Sequence, residues 1–258
     1  MHNQLMALCL CLFTLANTAV GEPDRIALER KLVSVDIELP TWTHVLNVFL
    51  ARLGYPFLLE LDTLSYRSAS LLHNKTEAQA MLMRYRLHLK NVTVEDVLKF
   101  ILKDQPRYRY KVIDGAVIHI YPDGIEKRHN WPLNVVLQDF PIEEKDISEA
   151  WYLDQFMALA EPMRIDLGQA PGREFATCLS PKLFRGFTLR QLLIELSKTC
   201  RTQWVFEPLP PTELKIRISA WGASAYPQGE RIKQSGGDWY QLHCLGSRED
   251  IVQDGVMR

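Results

Sequence analysis

Residues 91–120 constrain this chain more than any other stretch, because they combine a capped amphipathic helix with a β-hairpin and no room between them. Thr93 is an N-cap, and Asp96, three residues on, can reach back to the cap's backbone N–H. Val92 and Val97 have the spacing of a hydrophobic staple, while Glu95 and Asp96 place negative charge at the positive end of the helix dipole. Val94, Val97, Leu98, Ile101 and Leu102 form one apolar stripe, and Pro106 forbids the helix from continuing.

The hairpin that follows has two closures. A two-residue Asp114-Gly115 turn pairs Lys111 with Ile118 and mixes charge with core. A three-residue turn, Ile113-Asp114-Gly115, pairs Val112 with Ala116, Tyr110 with Ile118 and Tyr108 with Ile120. Only the second sorts apolar side chains onto one face, so it is the closure expected; the other face then carries Arg107, Arg109, Lys111, Val117 and His119. Upstream, Met83, Tyr85, Leu87 and Leu89 alternate strictly with Arg84, Arg86, His88 and Lys90, as in a half-buried strand. Joined to the hairpin's sheet, that strand makes the outer face strongly basic. Such a face is either a solvated surface protected against edge pairing or a docking face for an acidic partner. Arg84, Arg86, His88, Lys90, Arg107, Arg109, Lys111 and His119 are therefore the candidate partner-binding residues.

The same order of elements occurs twice. Residues 31–39 alternate as a strand; Pro40-Thr41 starts a helix with a stripe of Trp42, Val45, Leu46, Phe49, Leu50 and Leu53, stopped by Gly54. Residues 56–61 make a second strand, and 62–79 a polar insert. The first module thus runs β-α-β-(insert)-β-α-β-β over residues 28–122, followed by a charged linker, 123–131. The second module, 132–221, repeats it: a strand at 133–140, a helix from Asp146 to Ala160, a strand at 163–167, a loop to Pro181 and a short strand at 183–187. A helix capped by Thr188 and Gln191 and stapled by Phe187 and Leu192 follows, then a hairpin of 203–207 with 214–219. Thr93-Val-x-x-Val-Leu and Thr188-Leu-x-x-Leu-Leu superpose, a repeat of pattern more than of identity. Residues 222–258 shift to Gly, Ser, Gln and charge and read as a flexible tail, with Trp239, Tyr240 and Leu242 able to dock on a module or partner. The fold class expected is α+β, two tandem small modules with helices on mixed sheets.

The first residues bound the compartment. Leu5 to Ala16 is an apolar run too short to span a bilayer core of roughly 30 Å. Small residues Ala19-Val-Gly21 and a polar Glu22-Pro-Asp24 follow, so 1–21 reads as a secretory signal peptide, although its first residues hold no Lys or Arg. Removing it leaves Cys178, Cys200 and Cys244. Cys178–Cys200 is a reasonable bridge in an oxidising compartment; Cys200 also continues the stripe Leu189, Leu192, Leu193, Leu196 and suits a buried thiol equally well. Thirty basic against thirty-one acidic residues give no global case for nucleic acid or an anionic membrane.

Val33-Ser-Val-Asp-Ile-x-Leu-Pro40, the helix end Leu50-Ala-Arg-Leu-Gly54, and Leu89-Lys-Asn-Val-Thr-Val-Glu-Asp-Val-Leu98 with Tyr108-x-Tyr-x-Val and Val-Ile-x-Ile120 resemble the short N-terminal domain shared by bacterial secretins and TonB-dependent receptors. The resemblance covers the first module, and the second resembles a related ring-building secretin domain. It implies periplasmic domains that bind partner proteins, often through strand edges. The chain departs from that family in its 62–79 insert, and the residues after Trp221 are too few for a β-barrel.

Chemistry-bearing patterns are sparse. His88 and His119 come near each other on the expected basic face, but the arginines around them disfavour a cation; His44, His73 and His129 read as surface residues. His243-Cys244 are adjacent and rarely face each other. Asp36, Glu38 and Glu60 alternate with apolar neighbours and read as surface patterning. The strand–helix order also resembles that of KH domains, without their Gly-x-x-Gly loop. No metal, cofactor or catalytic residue is therefore expected. The function expected is a periplasmic interaction or scaffold protein, accessory to a secretion, pilus or TonB-type uptake system and able to self-associate. The alternative is a binder of cell wall or acidic glycan, and an envelope enzyme ranks behind both.

Overall fold

The computed structural model describes residues 25–39, 41–62, 85–142, 165–169, 178, 182–209 and 239–244. Its class is α+β, as expected. The first half runs β1 (Lys31–Leu39), α1 (Trp42–Leu53), β2 (Phe57–Glu60), β3 (Tyr85–Thr93), α2 (Val94–Lys103), β4 (Tyr108–Ile113) and β5 (Val117–Pro122). Two 3-10 turns, Ile125–Lys127 and Pro132–Asn134, lead to β6 (Phe140–Ile142). Then come β7 (Ile165–Gln169), β8 (Lys182–Phe184), α3 (Leu189–Cys200), β9 (Gln203–Leu209) and β10 (Trp239–Cys244). Among the described residues no helix is long and apolar enough to cross a membrane.

The helix ends form as their residues dictate. Thr93 Oγ1 accepts from Asp96 N at 3.1 Å while Thr93 N donates to Asp96 Oδ2 at 2.9 Å. Thr188 and Gln191 repeat the box on α3, at 3.2 and 2.8 Å. Each box satisfies two of the N–H groups a helix start leaves open. Gly54 closes α1 with φ 66°, a left-handed conformation that costs glycine little.

The strand pairing departs from the expected pair of self-contained modules. One six-stranded sheet runs β4-β5-β2-β9-β10-β7, so strands of both halves alternate in it. β2 is parallel to β5 on one side and to β9 on the other, pairing Leu58 with His119 and with Trp204. β2 buries all four of its residues, because helices cover both faces. On one face Phe57, Leu59, Ile118, Ile120 and Val205 share a core with α1 and α2. On the other, Leu58, Val117, Trp204 and Phe206 meet Leu189, Leu192, Leu193 and Leu196 of α3 together with Trp131 and Leu133. Leu192 and Leu193 are fully buried, each contributing about 1.5–3 kcal/mol relative to exposure.

Further differences follow. β3 does not join the hairpin's sheet; it pairs antiparallel with β1 in a separate two-stranded ribbon whose Val35, Ile37 and Leu87 enter the core of α1 and α2. The hairpin closes over Asp114-Gly115-Ala116, pairing Ile113 with Val117, Val112 with Ile118 and Tyr110 with Ile120. The apolar sorting is as expected but the register is moved two residues. Asp114 and Gly115, at φ 51° and 69°, take the left-handed turn positions that an Asp-Gly pair tolerates.

In the second half, residues 133–140 are not a continuous strand: a 3-10 turn, a single bridge from Val136 to Thr188 and the short β6 take their place. β9 is flanked by β2 and β10, which occupy both of its edges. Its expected hairpin partner, 214–219, lies outside the described residues, as do the signal peptide, the helix expected at 146–160 and most of the 62–79 insert. Residues 239–244 of the expected tail instead form β10, inside the sheet between β9 and β7. Cys178 and Cys200 are bonded, with Cα atoms 5.1 Å apart.

Candidate functional site

Glu60 ends β2 on the face turned toward α3, and it is fully buried. Four hydrogen bonds converge on its carboxylate. Arg190, from the first turn of α3, donates through Nε to Oε1 and through Nη2 to Oε2 at 2.9 Å. Trp131 Nε1 donates to Oε2 at 2.8 Å. His119 Nε2, also fully buried on β5, lies 2.6 Å from Oε1 and donates, since an ionised carboxylate only accepts. Burial pushes the Glu60 carboxyl up, but the Arg190 and His119 bonds and charges outweigh it and hold its pKa at about 2. Arg190 Nη1 also bonds Asn134 Oδ1, and Asn134 Nδ2 donates to the carbonyls of Ile125 and Arg128 at 2.9 and 2.6 Å. The network thus ties β2, β5, α3 and residues 125–134 together.

Above it lies a groove of about 670 Å³ between residues 126–134 and α3, also bordered by Lys111 and Ile113 of β4. Arg190 and Asn134 reach its lining; Glu60 and His119 do not. With every lone pair of Glu60 engaged and the carboxylate out of reach, the cluster holds the two halves in place and offers no free base or acid to a groove ligand.

The expected basic face is not assembled. Arg84 lies outside the described residues. Arg86 and His88 stand on the ribbon, 3.3 Å from Glu38 and 3.5 Å from Asp36 of the neighbouring strand, and Lys90 is exposed there. Arg107, Arg109 and Lys111 belong to β4 and its approach on the larger sheet. They pair with Asp62 at 2.6 Å, with Asp123 at 3.1 Å and with Glu126. His119 is removed from the surface altogether, because α3 covers the face that alternation alone leaves open; Val117 is buried beside it. His88 and His119 consequently sit on different sheets. Glu60, read as surface patterning, is the buried centre of a polar network with His119, Trp131 and Arg190. Asp62, read as the start of the insert, is buried against Tyr108 and Arg107. The signal that could have found Glu60 is the unbroken run Phe57-Leu-Leu before it, which suits a strand buried on both faces.

No protein-family model, curated protein or solved structure matches the chain.

Proposed function

We propose that the chain is a non-catalytic docking protein of the bacterial envelope, exported by its leader and accessory to a secretion, pilus or TonB-type uptake system. It takes its partner along the outer edge of the β1–β3 ribbon. The observation that carries this is Val33, 84% exposed as the third residue of a nine-residue strand that has a single strand neighbour among the described residues. Such an edge presents a row of N–H and C=O groups to an incoming strand, and an exposed apolar side chain supplies the anchor. Asp36 and Glu38 are engaged with His88 and Arg86, so the edge is not defended by free charge at those positions. A second copy of the chain pairing by the same edge would use the same contacts. The Cys178–Cys200 bridge supports an oxidising compartment. Acidic-glycan binding by the sheet cations loses support, because those cations are divided between two sheets and mostly paired.

The test is co-purification of the mature chain and its Val33→Lys variant from envelope fractions. An exposed substitution changes stability by no more than about 0.5 kcal/mol, so the variant folds. A partner held by the parent and lost by the variant is the expected result. A strictly monomeric parent without an envelope partner, or a variant that keeps the same partner, contradicts it.

A further inference from the structure

We propose that the groove beside α3 binds an extended acidic peptide segment of a partner protein. This rests on the docking function for the existence of a protein partner and adds the chemistry by which that partner is recognised. The groove, about 670 Å³, is of a size that ordinary ligand sites have.

Its charges are unevenly matched. The acids that line it already hold cations, Glu126 holding Lys111 and Glu195 holding Lys198, and the lining Arg190 is itself held by Glu60 from outside the groove. Lys127 and Arg128 are different. They are adjacent, exposed, line the same groove and make no ion pair among the described residues. Their backbone is pinned: Lys127 N bonds Gly124 O at 3.2 Å, Arg128 N bonds Ile125 O at 3.1 Å, and Asn134 Nδ2 holds the Arg128 carbonyl. Asn134 is itself held by Arg190. Two positive charges are therefore presented from a fixed turn, which lowers the ordering cost of a contact made there.

Ile113, Phe187 and Ile194 line the same groove. A segment alternating carboxylates with apolar side chains meets both surfaces. A carboxylated polysaccharide meets the cations but gains little from the two isoleucines, which favours a peptide.

The experiment measures fluorescence anisotropy of the mature full chain with a labelled peptide alternating Glu and Leu, and with its Gln counterpart. The Glu peptide is expected to bind at least about tenfold more tightly, to weaken with salt, and to lose at least about tenfold in affinity to Lys127→Glu/Arg128→Glu. Those side chains are exposed, and an unchanged melting curve verifies the variant's fold. Val33→Lys should leave the peptide affinity unchanged. Equal affinity for both peptides, indifference to the double charge reversal, or loss of binding in Val33→Lys overturns the proposal. So does tighter, charge-reversal-sensitive binding of polygalacturonate, which would give the groove to a glycan. If the peptide fails while Val33→Lys still abolishes envelope docking, the groove falls and the ribbon-edge function stands.

Discussion

A carboxylate that accepts four hydrogen bonds while fully buried has no lone pair to spare for chemistry, and Glu60 is so placed. Removing one side of such an arrangement strands the other. Glu60→Gln leaves Arg190 buried without its counter-charge and should cost about 3–5 kcal/mol, read by denaturant unfolding. Replacing both, Glu60→Leu with Arg190→Met, should cost clearly less than the two single losses added, because no charge is left stranded. The pH dependence has a definite sign. The Glu60 pKa lies below its ordinary 4.5, at about 2, so its stabilisation is fully present above pH 4.5 and is lost as pH falls toward 2. Acid titration of the melting temperature should show this slope in the parent and a shallower one in Glu60→Gln.

At the scale of elements, the two capping boxes and the disulfide set the ends of α2 and α3. Thr93→Ala and Thr188→Ala should each cost about 1 kcal/mol by thermal unfolding. Reducing Cys178–Cys200, which closes a loop with a sequence separation of 22, should cost about 3 kcal/mol. The helices and their caps were legible in the chain because their causes are local, whereas the sequence left Cys200 equally suited to a buried thiol. A cap and its partner lie three residues apart, a staple five, a helix stripe three or four. Strand parity was local too, so Tyr108, Tyr110 and Val112 fell on the right face even though the hairpin register did not. What covers a face is a different matter. Glu60 meets His119, Trp131 and Arg190 across 59, 71 and 130 residues, and no periodicity in a single strand carries that distance. Alternation therefore sent Glu60 and His119 to solvent when a second helix layer was waiting for them.

At the scale of the whole molecule, the halves interleave instead of standing in tandem. β2 of the first half lies directly beside β9 of the second, and β10, from what composition marks as a tail, fills the place between β9 and β7. The Gly, Ser, Gln and charged residues on either side of its six residues hid that strand. Ending the chain at residue 238 should accordingly unpair β9 from Trp204 to Leu209 and lower the melting temperature with a rise in aggregation; removal of a passive tail would change neither. The docking proposed for this chain is therefore assigned to its surface, at the edge of β1 that has no strand neighbour among the described residues.

The most direct test is site-specific photocrosslinking in cells, with a photoreactive side chain placed in turn at positions 31, 32, 33 and 34 of β1 and, as a control, at the exposed Phe100 of α2. An added strand should yield one discrete adduct with an envelope protein or with a second copy, strongest from position 33 and absent from position 100. No adduct along β1, or the same adducts from both elements, would contradict docking at this edge.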